Sequence, residues 1–200
     1  MSRYLPITKT YKGFLRKWIT KIVVKHASAV TTVSNNLKDA MNLHHLYNNN
    51  YHIIPNNVDT DAFAPILKKP SSIKTILHVS CFEDRSKNIS GILRVLKKLS
   101  EVRSDFNCRF VGDGIDKPIL EKYAKEIGLP NTVFFFEGLK EGDDLIKIYQ
   151  QSDFLLMFSH FESFSIVIAE AFSCGLPVIA THVGGIPEIV NETNGILVNA

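Results

Sequence analysis

Cysteine is scarce in this 200-residue chain. Cys81, Cys108 and Cys174 are the full complement, an odd number with no spacing suited to a metal site or a redox pair. That argues against a disulfide-stapled scaffold and a cysteine-ligated zinc module, and it suits a reducing, cytoplasmic compartment. Cys81 and Cys174 end the apolar runs ILHVSC and FSC, so both read as buried thiols. No apolar run approaches 18 residues, so no segment reads as a membrane-spanning helix. The opening MSRYLPITKTYKG lacks the apolar stretch of a secretory leader. Acid is missing from the first 38 residues, which carry Arg3, Lys9, Lys12, Arg16, Lys17, Lys21, Lys25 and Lys38 before Asp39 appears. That basic block is either a solvated helix face or a patch for anionic lipid. The net charge of +3 is too small to argue for nucleic acid. There is no HExxH, no supported Ser/His/Asp order, no internal repeat and no low-complexity tract.

What is present is alternation. Residues 11–26, YKGFLRKWITKIVVKH, place Phe14, Leu15, Trp18, Ile19, Ile22 and Val23 on one helical stripe. A strand, AVTTV, follows, and Ser34 is placed to cap a helix through SNNLKDAMNLH. NNNYHIIPNNVDTDAFAP reads as a turn-rich segment. From residue 73 strands and helices then alternate. IKTILHVS precedes ISGILRVLKKLS, FNCRFVG precedes KPILEKYAKEIG, TVFFF precedes DDLIKIYQQS, and FLLMFS, PVIAT and GILVNA complete the set. Continuous apolar strands between amphipathic helices predict an α/β fold, a doubly wound parallel sheet covered on both faces, with ligands beyond its carboxyl edge. Ser165 to Phe172 is ambiguous. Its β-branched residues favour a strand, but Gly175 and Pro177 stop it as they would a helix, and a helix keeps the βα alternation.

Candidate chemistry gathers in HFESFSIVIAEAFSCGLPVIATHVGGIPE, residues 160–188, where Glu162 and Glu170 stand eight positions apart. A helix opening near Phe164 to Ile166, after strand FLLMFS, points its unpaired N–H groups at the ligand edge and so suits an anion. A plain strand-to-helix turn is the alternative. Glu170, a turn and a half further, sits where a carboxylate could accept from sugar hydroxyls, and it is too deep in an apolar helix to be a simple surface residue. Asp84-Arg85-Ser86-Lys87 puts cations at the carboxyl end of the first strand of the unit, as a charged loop or a phosphate clamp. Gly112-Asp113-Gly114 and Gly184-Gly185, with Pro187 after the latter, suit tight turns or close backbone approach. His160 reads as structural. Asp143-Asp144 is explained as helix-start capping rather than a metal site.

SHFESFSIVIAEAFSCGLPVIATHVGGIPEIV resembles the signature of the retaining GT-B glycosyltransferases of group 1, family four: Glu, seven residues, Glu, then Gly-x-Pro-Val-Ile-Ala and Gly-Gly-x-x-Glu. VTTVSNNLKDAM, IIPNNVDTDAFAP, SCFEDRSKN, RFVGDG and VFFFEG agree in order with further blocks, so the likeness spans roughly residues 20–200. It implies a Rossmann-like, C-terminal half of a GT-B fold that binds a UDP-, GDP- or ADP-sugar. In that picture Glu162 orients the donor sugar, the N–H groups of Phe164, Ser165 and Ile166 hold the distal phosphate, and Glu170 binds the ribose. Arg85 and Lys87 neutralise the diphosphate. Leu139 and Lys140 lie near the nucleobase. No cofactor and no metal are implied.

The resemblance assigns residues 1–50 to the end of an N-terminal acceptor domain and 51–200 to the donor domain, with both ends of the chain looking cut. The implied enzyme moves a hexose with retention to a glycan or lipid-linked acceptor in polysaccharide biosynthesis. It would be cytoplasmic, peripheral on the inner face of a membrane, and inactive as this stretch alone. Departures are Ser165 where the family has Gly, Cys81 where it often has Arg or Asn, and Asn57 for the linker Gly. A related GT-B activity (an NDP-sugar epimerase or a phosphorylase), a non-catalytic nucleotide-sugar-binding or regulatory domain, and a flavodoxin-like receiver are the alternatives.

Overall fold

The structure, a computed structural model, describes residues 13–199. Helix α1 (Phe14–His26) is followed by β1 (Val30–Thr32), α2 (Asn35–Leu43) and β2 (Tyr51–Ile53). Next come β3 (Lys74–Val79), α3 (Asp84–Lys87), α4 (Ile89–Ser100), β4 (Phe106–Val111), α5 (Lys117–Glu126) and β5 (Phe134–Gly138). The chain closes with α6 (Gly142–Gln151), β6 (Phe154–Met157), α7 (Ile166–Ser173), β7 (Val178–Thr181), a 3-10 turn (Ile186–Glu188) and β8 (Gly195–Val198). The segment at residues 11–12 of the expected first helix lies outside the described residues.

Six strands form one parallel sheet in the order β5-β4-β3-β6-β7-β8. From β3 the chain winds outward through β4 and β5, then returns to the other side of β3 and winds outward through β6, β7 and β8. The order therefore reverses between β3 and β6, and a crevice opens there beyond the strands' carboxyl ends.

Both faces are covered, which is why the strands read as nearly unbroken apolar runs. On one face Ile76, Cys108 and Phe110 meet Ile89, Ile92, Leu93 and Leu96 of α4, which recur at the i, i+3, i+4, i+7 spacing. Each is at most 3% exposed, and burying one such Leu or Ile side chain contributes about 2 kcal/mol. On the other face Leu77, Leu155, Met157 and Val178 meet Ile148 and Tyr149 of α6 and Ile168 and Ala171 of α7.

Several sequence expectations change. The stretch read as turns contains β2, which pairs in parallel with β1 (Val30 opposite Tyr51). Three residues become a strand only because that partner is present. β1 and β2 form a separate two-stranded sheet. The charged stretch 84–87 is a helical turn, not an open loop. Cys81 is exposed rather than buried, because β3 ends at Val79 and leaves it outside the sheet. Cys174 is buried as expected, and so is Cys108. Ile186 precedes Pro187 in the 3-10 turn, so Pro187 is not its first residue.

Candidate active site

The crevice between β3 and β6 is built from two short connections. After β3, the turn α3 is held at both ends. Asp116 Oδ2 accepts from the Asp84 N–H (2.8 Å), and Asp84 Oδ1 accepts from the Ser90 N–H (2.7 Å). Asn88, at φ 52, then breaks α3 from α4. The turn is tied across the crevice, because the His160 N–H donates to the Ser86 carbonyl (2.8 Å). Lys87 Nζ then lies 2.8 Å from Glu162 Oε2, with both side chains mostly buried (17% and 12% exposed). Two residues 75 positions apart in sequence thus form one ion pair between the carboxyl ends of β3 and β6.

Beneath the pair, His78 spans the same gap. The β3–β6 ladder covers Ile76 opposite Phe154 and Leu77 opposite Leu155. Just beyond it, His78 Nδ1 lies 2.8 Å from the Leu156 carbonyl, and Nε2 lies 2.8 Å from Ser80 Oγ. A carbonyl can only accept, so Nδ1 carries the proton and Nε2 accepts from the serine hydroxyl. Burial pushes the imidazole down to about 4, opposed by the Leu156 bond and assisted by the charge of Lys87.

The glycines are sites of close approach. A Cβ at Gly112 would stand 1.9 Å from the Ser80 carbonyl oxygen, and one at Gly185 would stand 2.2 Å from that of Ser163. Both hold neighbouring connections against the crevice loops. Ser34 joins in: its Oγ donates to the Ser163 carbonyl (2.7 Å) and accepts from the Leu37 N–H, the cap expected from sequence.

Helix α7 starts where expected, and the ambiguous segment is helical. Gly175, at φ 76, ends it with the Leu176 N–H on the Ala171 carbonyl and the Gly175 N–H on that of Phe172. At its start, Ser165 occupies φ 75, ψ 85, a left-handed conformation. Its side chain caps nothing, and its buried Oγ has no hydrogen-bond partner. The first N–H groups of this helix have no intrahelical carbonyl to bond.

Glu170 lies in the second turn of α7 and is not part of the Lys87–Glu162 pair. Its Oε2 accepts from the Tyr149 hydroxyl of α6 at 2.6 Å. Burial raises its pKa above the usual carboxylate range, and the Tyr149 bond pulls it back. Arg85 is exposed and has no ion pair among the described residues. Leu139 (66% exposed) and Lys140 follow β5, with β4 between them and β3. Phe164 and Ser165 are buried, and Ile166 is exposed. A surface groove of about 800 Å³ between α4 and α5, lined by Ser90, Arg94 and Tyr123 among others, contains none of these predicted site residues.

Two residues at the site were missed by sequence reasoning. Tyr149 reads only as a core aromatic of an amphipathic helix. Glu188 was visible as the last residue of GGIPE, but nothing in the sequence names its partners. Its carboxylate accepts from the Asn35 N–H (2.9 Å), the Asn36 N–H (2.7 Å) and the Asn35 amide (3.0 Å) at the start of α2.

Comparison with known proteins agrees with this fold. The family model for "Glycosyl transferases group 1" matches residues 59–200. N-acetyl-alpha-D-glucosaminyl L-malate synthase of Bacillus anthracis is 33% identical over 122 residues, 60% of this chain and 30% of that protein. The Anabaena HepE structure with UDP and glucose has TM-score 0.78 at 22% identity, covering 92% of this chain and 53% of that one. The C-terminal domain of a group 1 family protein (LpcC) from Francisella tularensis has TM-score 0.61 at 24% identity, covering 72% and 80% respectively. The aligned part of the chain spans less than half the length of the curated relatives it matches. A model match over most of the chain, on a doubly wound sheet whose crevice carries the Glu-x7-Glu segment, shows that the chain belongs to the group 1 glycosyltransferases of the GT-B fold.

Proposed function

We propose that this chain is the donor side of a retaining, metal-independent hexosyltransferase that takes a nucleoside-diphosphate sugar. The observation that carries the reading is the Lys87–Glu162 pair at the reversal of strand order, beside the start of α7. A diphosphate in the crevice competes with Glu162 for Lys87. Lys87 then balances the charge that grows on the departing phosphate, with Arg85 within the same turn as a second cation. The N–H groups of Phe164, Ser165 and Ile166 receive the distal phosphate. Glu162, released from its full pairing, orients the donor sugar, and Glu170 receives the ribose hydroxyls. Leu139 and Lys140 flank the base. The HepE structure holds UDP and glucose, which makes UDP the first nucleotide to test.

The acceptor, a glycan or lipid-linked sugar in polysaccharide biosynthesis, binds groups from a domain preceding this one. The present stretch binds donor and transfers nothing alone. We place the enzyme in the cytoplasm, peripheral on the membrane. Helix α1 supports this: Phe14, Leu15 and Trp18 are 88%, 64% and 55% exposed, alongside Arg16, Lys17, Lys21 and Lys25 and no acid.

The test is calorimetric titration with UDP, GDP and ADP in the presence of a chelator, repeated on Glu170→Ala. One nucleotide binds, and the variant loses about tenfold, the worth of one charge-assisted hydrogen bond. Binding that requires a divalent cation removes metal independence. Binding unchanged by Glu170→Ala favours a non-catalytic scaffold that kept the fold.

A further inference from the structure

Tyr149 is fully buried in α6, yet its hydroxyl is not spent on a backbone group. It donates to Glu170 Oε2 at 2.6 Å, a short contact of the kind a phenol makes with a carboxylate. The Val167 carbonyl, 3.4 Å away, is too distant to compete. Oε2 is therefore committed, and Oε1 is left for a ligand.

The phenol is itself held. Phe63, from the segment joining β2 to β3, packs edge-on against the Tyr149 ring with centroids 5.7 Å apart. The same segment is clamped to the end of α6. The Gln150 amide donates to the Ala64 carbonyl (2.9 Å), and Lys68 Nζ bonds the Ser152 carbonyl (2.7 Å) and Asp153 (2.9 Å). A fully buried ring packed against Phe63 has little freedom to turn its hydroxyl elsewhere. Glu170 sits on an apolar helix, where an unheld carboxylate would turn towards water or take up a proton.

We propose that Tyr149 is a positioning residue. It keeps the Glu170 carboxylate ionised and turned so that Oε1 meets the ribose hydroxyls, and so sets the site's preference for ribonucleotides. This rests on the ribose role of Glu170 given above. Tyr149 touches no ligand; it acts through Glu170.

The experiment compares UDP, GDP and ADP with their 2′,3′-dideoxy counterparts by calorimetry, on the unaltered protein and on Tyr149→Phe. That variant removes one oxygen and keeps the packed ring. A carboxyl-carbon NMR titration of Glu170 on both proteins supplies a ligand-free readout. The unaltered protein prefers the ribonucleotide by about tenfold, the worth of one hydrogen bond to a charged group. In Tyr149→Phe the preference falls below about threefold, dideoxy affinity is unchanged, and the Glu170 titration moves to higher pH. A variant that keeps the full preference and the same titration overturns the positioning role. An unaltered protein that binds none of the three nucleotides at millimolar concentration, or binds ribo and dideoxy forms equally, overturns the ribose reading and this inference with it.

Discussion

Ser165 shows how much one residue can depart from its local conformational preference. An L-residue with a Cβ is disfavoured at φ 75, and a buried hydroxyl without a partner adds a desolvation cost. Glycine removes both costs, at the expense of a looser unfolded chain. Ser165→Gly is therefore expected to stabilise the protein by about 1 kcal/mol, a rise of about 2–4 °C in the thermal midpoint. A midpoint that stays or falls would mean that the serine makes a contact worth more than its strain. The sequence flagged this position through the family pattern, but local propensity could not have given the sign of its φ. Cys81 is the opposite case: an apolar run suggested burial, and the end of the β3 ladder decided exposure.

Elements repeat this division between local signal and distant partner. α4 was fully legible, because its buried stripe and its strand neighbours obey one period. α7 was nearly illegible from propensity, since Ile166, Val167 and Ile168 favour strands. Its Schellman ending at Gly175 and the burial of Ile168 and Ala171 against the sheet override that preference. α2 has a start that no local rule supplies in full. Ser34 caps it locally, but Glu188, more than 150 positions later, fills the remaining N–H groups. Desolvation works against the Glu188 carboxylate, yet the Asn36 and Asn35 donors prevail and its pKa falls below the usual value of 4.5. A carboxyl lowered in the folded state contributes stability that is present above pH 4.5 and is lost as pH falls through the folded value. Glu188→Ala should cost about 1 kcal/mol at pH 7, chiefly as faster hydrogen exchange at Asn35 and Asn36. Below the folded pKa the cost should shrink. Equal exchange in both proteins at pH 7 would dismiss the cap.

At the scale of the whole molecule, charge and apolar surface meet on α1. No helix among the described residues is long and apolar enough to cross a membrane. An exposed stripe of Phe14, Leu15, Trp18 and Val23 beside lysines instead suits lying on one. Sedimentation with vesicles containing phosphatidylserine should pull the protein down at low salt, and raised salt should release it. Failure to pellet would assign the stripe to another stretch of protein. The sequence by itself determined the α/β class, the strand–helix alternation from residue 73 on, and the Glu-x7-Glu segment, because each rests on short-range periodicity and spacing. Only the tertiary structure decided that β6 returns to the open side of β3. That reversal sets Lys87 against Glu162 and Tyr149 against Glu170. Such pairings depend on which strands exchange hydrogen bonds across a sheet, a choice made by the packing of the whole core and encoded in no short window of residues.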